Sequence, residues 1–504
     1  MASRIDNEVF ASKVMDAASA AALIEPGSKI GFSGFTGAGY PKALPVALAT
    51  RIRELRAKGE DFKIEVFTGA STAPELDGEL AESGGVYRRS PYQSDPTLRS
   101  RINSGEINYI DAHLSHLPRQ VGMGMWGELD YAVVEATMID AEGHVVPSSS
   151  VGASNTYLNR AKKIILEVNS WQSEDLFGLH DVFNMDITPP NTPIIPITHP
   201  GDLVGDKWFT IDPEKVVAVI ETDAADRNSE FKPLDDDSRK IAGYLLDLLE
   251  HEVKMGRQPE NLCPMQSGVG NIANAVLEGL LDAPFEGMTS YTEVIQDGMI
   301  RLIDAGKISV ASATAFSLSP DAADYMNENA RDYQGKIILR PQDVSNHPEV
   351  IRRLGVISCN GMIEADIYGN VNSTHIMGTR MQNGIGGSGD FTRNAGLSIF
   401  VSPSTAKGGA ISAVVPMVSH HDHTEHDVNV IITEYGVADL RGLAPRQRAK
   451  VVIDNCAHPD YRAELHDYYE RALKVSKGIH TPHVLPETLS WHQRFLETGT
   501  MKKS

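Results

Sequence analysis

SGVGNIANAVLEGLLD, residues Ser267–Asp282, is a glycine loop opening a helix, with apolar residues recurring at helical spacing from Ile272 to Leu281. SYTEVIQDGM, Ser290–Met299, follows it. TEVI reads there as a short strand and Gln296-Asp297-Gly298 as its turn. Loop, helix and strand in this order make one α/β repeat. The same order occurs earlier, where SGFTGAGYPKALPVALATRI (Ser33–Ile52) precedes FTGAS (Phe67–Ser71). We read the two as an internal duplication: two tandem, related open α/β domains with mostly parallel sheets. The runs KIGFSGF, KIEVFTGA, YAVVEATMID, KKIILEVN and KVVAVIET carry the strand series to about Glu221. The polar, acidic stretch DAADRNSEFKPLDDD then reads as a linker over 223–237, which sets the domains at 1–222 and 238–504.

Composition narrows the function classes. A chain of 504 residues is too long for one ordinary core. A net charge of −21 argues against a nucleic-acid partner, since phosphate backbones need a basic face. Three scattered cysteines, Cys263, Cys359 and Cys456, imply no disulfide framework and fit a reducing compartment. No apolar run reaches about 18 residues, so no membrane span is expected. The first residues do not read as a signal peptide, and a cytoplasmic location is expected.

Glu293 is the residue that asks for an explanation: one carboxylate in the apolar company of a probable buried strand. A rim ion pair or a helix N-terminal contact is the plainer reading. A second reading takes Gly268-Val269-Gly270-Asn271-Ile272-Ala273 as a dinucleotide fingerprint, with Glu293 as the ribose-binding acid of an oxidoreductase. Pro264 and Gln266 stand against it, because a dinucleotide fold wants an apolar strand just before its loop. A second glycine loop, NGIGGSGDF (Asn383–Phe391), has four glycines in six residues. Two loops of exposed N–H donors and an isolated Glu suit acyl chemistry, in which the carboxylate attacks an activated carbonyl and the donors hold the oxyanion. No G-x-S-x-G elbow and no Walker loop offers a rival nucleophile system. The run SHHDHTEHD, Ser419–Asp427, reads as a hydrogen-bonded turn rather than a metal centre, and no metal is expected.

Taken in order, GFTGAGYPK, TGAST, SSVGAS, QSGVGNIANAVLEGL, EVIQDGM, QDVSNHP, RRLGVISCNGMIEADIYGNVNSTH, NGIGGSGDF, SPSTAKGGAIS, TEYGVADLRGL and HPDYR resemble the class I CoA-transferases, in the acetyl-CoA hydrolase/transferase branch. The resemblance runs along nearly the whole chain. It implies an active site between two α/β domains, usually in a homodimer, acting on acyl-CoA and short carboxylic acids, with succinate and acetate as the acid pair. Coenzyme A is then substrate and product, with no tightly bound cofactor. By the same resemblance Glu293 is the nucleophile, and the backbone N–H groups of Val269 and Gly387 are its oxyanion donors. CoA contacts fall on Gly268, Val269, Gly270, Asn271, Ile272, Ile363, Asn383, Gly387 and Lys407. Asn346 is grouped with the catalytic residues, and Ser71, Arg227 and Glu434 with the carboxylate-binding surroundings. A non-catalytic CoA sensor remains the reading that turnover would exclude.

Overall fold

The computed structural model describes residues 4–185, 192–228, 233–268 and 270–503. Strand and helix alternate along it, and the sheets are mostly parallel. The first sheet has eight strands: β1 (Lys29–Phe32), β2 (Ile64–Phe67), β3 (Val86–Ser90), β4 (Asn108–Tyr109), β5 (Tyr131–Ile139), β6 (Val145–Pro147), β7 (Lys163–Asn169) and β8 (Val216–Thr222). Their order is β4-β3-β2-β1-β5-β7-β8, every neighbour in it parallel, with β6 antiparallel on β5. Strand β5 is buried along almost its whole length, as a central strand of a parallel sheet should be. The core sets Ile30, Phe32, Val66 and Val133 of the strands against Leu44, Leu48, Ile52, Leu80 and Leu98 of the helices. Leu44, Leu48 and Ile52 repeat every four residues, so one stripe of the helix Ala43–Ala57 faces the sheet.

Two compact units emerge, and they do not follow a single cut at 223–237. One comprises Met1–Glu230, Ser290–Ile303 and Ser309–Val350; the other comprises Phe231–Thr289, Asp304–Ile308 and Ile351–Ser504. The reason is pairing. Ser150 bridges Ala315, Gly152 bridges Pro341 and His180 bridges Leu339, which stitches the 290–350 segment to the first unit. The start of the expected linker is also fastened there: the Asn169 amide donates to the Ala224 carbonyl at 2.7 Å, and Asp226 is buried.

In the second unit, strand Met265–Ser267 pairs parallel with Ile357–Gly361, which pairs parallel with Leu397–Val401, and that in turn with Val430–Thr433. Gly436–Asp439 closes this edge antiparallel. Gln266, unpromising as a strand residue, sits fully buried in that first strand, its Nε2 donating to Asn360 Oδ1 at 3.1 Å. A core of Ile367, Val414, Ile431, Val452, Leu465 and Trp491 supports it. No helix among the described residues is long and apolar enough to cross a membrane.

Candidate active site

Glu293 stands at a break, not at the end of one strand. Strand Met288–Tyr291 stops before it, and Val294–Ile295 begins a separate two-stranded sheet, parallel to Ala315–Phe316. The neighbouring strand Ile308–Ala313 breaks at Thr314 in the same way. The two breaks are locked together: the N–H groups of Thr314 and Ala315 both donate to the Glu293 carbonyl, at 2.9 and 3.2 Å. The expected turn Gln296-Asp297-Gly298 is instead the entry to a helix, Asp297–Asp304. A chain that leaves one sheet for another must turn its side chains at the jump, and that leaves the Glu293 side chain half-buried among its apolar neighbours.

The surroundings of Glu293 in its unit are specific. Asn346 is fully buried and its Nδ2 donates to Glu293 Oε1 at 3.1 Å. Ser345 Oγ donates to Asn346 Oδ1 at 2.8 Å, which fixes the amide so that its NH2 faces the carboxylate. Tyr92 has its phenol pushed up to about 12, by burial first and then by the negative charge of Glu293. Val294 and Ala315 share an apolar cluster with Phe35, Ala70 and Leu114, against which Tyr92 packs. The GFTGAGYPK loop, through Phe35, and the TGAST segment, through Ala70, therefore meet at this break. Val151 N–H donates to the Thr314 carbonyl and Gly152 N–H to its hydroxyl, which brings in the SSVGAS motif.

Ser71 lies buried in the TGAST segment, its hydroxyl oxygen accepting from Ser94 N–H at 3.1 Å. A buried bidentate pair, Arg89 with Asp77, pins that segment, because Asp77 also accepts from Thr72 N–H and Arg89 donates to the Ala70 carbonyl. Arg227 is largely exposed, 3.8 Å from Glu75, with its backbone N–H on the Gly37 carbonyl at 3.0 Å. Beneath that contact lies a cluster that sequence reasoning missed. Lys42 reaches both Glu135 and Asp226, the latter at 2.9 Å, and all three are buried. Asp226 also accepts from Gly39 N–H, Ser149 Oγ and Gln172 Nε2. Glu167 accepts the N–H groups of Lys42, Ala43 and Leu44, capping the helix that follows the loop. Burial, only partly offset by Lys42, holds the Glu135 carboxyl well above the usual carboxylate range.

The second unit carries the other expected residues. Val269 lies outside the described residues. Gly268 N–H donates to the Cys359 carbonyl at 3.0 Å, and Gly270 has φ +134°, which only glycine holds without strain, before the helix Asn271–Asp282 opens at Asn271 and Ile272. Buried Asn274, in the first turn of that helix, has neither amide atom paired among the described residues; nothing in the sequence pattern marked it. Ile363, half-buried, donates its N–H to the Asn372 carbonyl at 2.9 Å. Asn383 Nδ2 donates to the Ser373 carbonyl at 3.1 Å, and Gly387 precedes the helix Ser388–Asn394. Lys407 is exposed, at φ +49°, with its ammonium 5.0 Å from the Phe495 ring centroid. Glu434 gives both carboxylate oxygens to Ser404, accepting from its N–H at 2.7 Å and from its hydroxyl, which anchors the loop bearing Lys407. Among the described residues, Asp140, Glu142 and His144 bring three metal-ligating atoms within 4.8 Å of one another, and none of them belongs to the residues above.

Family models match both parts of the chain: an acetyl-CoA hydrolase/transferase N-terminal domain over residues 2–221 and its C-terminal domain over residues 323–469. The chain belongs to the acetyl-CoA hydrolase/transferase family. Among its relatives is a succinyl-CoA:acetate CoA-transferase of Clostridium kluyveri, 47% identical over 99% of this chain and 92% of that protein. An acetyl-CoA hydrolase of Candida albicans is 43% identical over 95% of this chain and 94% of its own. RipA from Yersinia pestis shares the fold, with a TM-score of 0.71 at 23% identity, covering 94% of this chain and 99% of that one. Membership makes this an enzyme of CoA chemistry, with coenzyme A as substrate.

Proposed function

We propose that the protein moves CoA between succinyl-CoA and acetate, giving acetyl-CoA and succinate, through a glutamyl-CoA thioester on Glu293. The observation that carries this reading is the buried Asn346 amide donating to Glu293 Oε1 at 3.1 Å, at a sheet break where several motifs converge. A solvated rim carboxylate has no need of a buried, oriented partner. Likeness to the Clostridium kluyveri transferase supports the acid pair.

The Glu293 carboxylate attacks the thioester carbonyl of the acyl-CoA. The carbon–sulfur bond breaks, and an acyl-glutamyl anhydride and CoA thiolate form. The thiolate attacks the Glu293 carbonyl carbon and expels the first acid, leaving the glutamyl-CoA thioester. The second acid runs the steps backwards. Each step trades one activated acyl bond for another, so no ATP is consumed. Both addition steps create an oxyanion, for which the resemblance supplies the N–H groups of Val269 and Gly387; one such donor contributes about 2.7–4 kcal/mol. Arg227 receives the distal carboxylate of succinate. The protein works in this reading as a cytoplasmic homodimer.

Incubation with succinyl-CoA and no acceptor acid should add the mass of CoA less water, on the peptide containing Glu293. Glu293→Ala should lose both adduct and turnover, by at least about 10³-fold. Near-native transfer by that variant would sink the mechanism, and an adduct on Cys263, Cys359 or Cys456 would move the chemistry to a thiol. Arg227→Glu should raise KM for succinate far more than for acetate; equal shifts would make Arg227 structural.

The likeness to an acetyl-CoA hydrolase favours a second reading, in which water rather than an acid resolves the thioester. Thiol release from acetyl-CoA in the absence of any acid, at a rate matching transfer, would select it.

A further inference from the structure

The histidine run Ser419–Asp427 has no role in the chemistry above, yet it grips the glycine loop of Gly387. Backbone first: His423 exchanges both hydrogen bonds with Val371, donating at 3.0 Å and accepting at 2.8 Å. This fixes the imidazole, buried at 3% exposure, with its ring centroid 4.8 Å from that of Phe400. His423 Nε2 then lies 3.1 Å from Ser388 Oγ and 3.4 Å from Ser373 Oγ. The Ser388 hydroxyl spends its hydrogen on the Ile385 carbonyl at 2.8 Å. Its oxygen can therefore only accept from the ring, which makes Nε2 the protonated nitrogen.

The neighbouring contacts complete a clamp on both ends of the loop. Asp422 accepts from Ser373 N–H at 2.7 Å and from Thr374 Oγ1 at 2.8 Å. The segment so anchored holds the near end, since Gln382 N–H donates to the Thr374 carbonyl and Asn383 Nδ2 to the Ser373 carbonyl. His423 holds the far end through Ser388, one residue after Gly387. Between these ends Gly386 is at φ +60° and Gly387 at φ −88°. A loop of four glycines has little conformational preference of its own. Its N–H directions must be imposed from outside, and preorganised donors are worth most when they need not reorient during reaction.

We infer that His423, acting through Ser388, is a positioning residue that sets the direction of the Gly387 N–H. This rests on the reading of Gly387 as an oxyanion donor, and the residue touches no reacting atom itself.

The test measures kcat and KM for CoA transfer, normalised to active sites by the amount of glutamyl-CoA thioester formed. His423→Leu should lower kcat about 10- to 100-fold, with KM for the acyl-CoA within about twofold. Ser388→Ala should fall as far, and the double variant no further, because the His423–Ser388 contact is the one that both variants remove. His423→Gln places an amide N–H near the Nε2 position and should recover most of the loss, which a merely structural role would not predict. Gly387→Pro, whose ring asks for a φ about 20° from the observed −88°, deletes the N–H itself and should be the slowest of the set. Native turnover by Gly387→Pro would overturn the oxyanion reading and the clamp with it. Slow Gly387→Pro beside unimpaired His423→Leu and Ser388→Ala would overturn the clamp alone, as would a Gln variant as slow as the Leu one.

Discussion

Two glycine loops, one in each compact unit, are held by opposite means. GFTGAGYPK rests on a buried ammonium: Lys42 meets Glu135 and Asp226, and Glu167 caps the helix that leaves the loop. NGIGGSGDF is held by an imidazole, three hydroxyls and one largely buried carboxylate. The first arrangement concentrates charge where water is excluded. Each carboxylate there must be matched by donors, and each is: Glu135 takes Asn169 and Gln172 as well as Lys42, and Asp226 takes a backbone N–H, a hydroxyl and an amide. The second distributes the same task over weaker, largely neutral bonds. A charged clamp is rigid and costly to damage, whereas a neutral one is cheaper to remove and acts mainly on direction.

Stability should separate the two first. Lys42→Met leaves Glu135 and Asp226 buried without their counter-charge, and losing one partner of a buried ion cluster costs about 3–5 kcal/mol. His423→Leu removes neutral hydrogen bonds at a cost of about 1–2 kcal/mol. Urea unfolding of both variants beside the unmodified protein measures the gap. A Lys42→Met loss no larger than that of His423→Leu would erase the distinction between the clamps.

Their legibility also differed. The alternation of strands and helices, the glycine loops and the α/β class were readable, because burial imposes apolar runs and helical spacing that survive in one dimension. Glu293 stood out for the same reason: a carboxylate breaks such a run. That two adjacent strands jump sheets together at Glu293 and Thr314 was not readable, since the jump depends on partners such as Ser149 and Val151, far away in the chain. Asn346 was named by resemblance, but the Ser345 bond that orients its amide is a matter of geometry. Glu434 was grouped with the carboxylate-binding surroundings, and its two oxygens go to Ser404. The histidine run pointed to a hydrogen-bonded turn, yet what it holds depends on Ser373 and Ser388, which no local pattern connects to it.

The smallest expected effect is also the sharpest on the charged clamp, because it isolates one proton. Glu135 has its carboxyl raised, by burial above all and by Asp226, against the lowering pull of Lys42. The folded chain therefore binds that proton more tightly than the unfolded chain does. Stability rises with pH only where the unfolded state binds more protons; here the folded state binds more, so this contribution is present at acid pH and fades as pH rises toward the raised value near neutrality. Glu135→Gln mimics the protonated side chain at every pH. Below about pH 5, close to the ordinary glutamate range, the unmodified protein and this variant should respond alike. Between about pH 5 and 8 the unmodified protein should lose stability steadily relative to the variant. Thermal unfolding of the pair across that range gives the difference directly, with the titrating groups outside the Lys42 cluster cancelling. A difference that stays flat from pH 5 to 8 would mean that Lys42 keeps Glu135 ionised throughout, and that the first loop stands on a simple ion pair rather than on a shared, crowded charge.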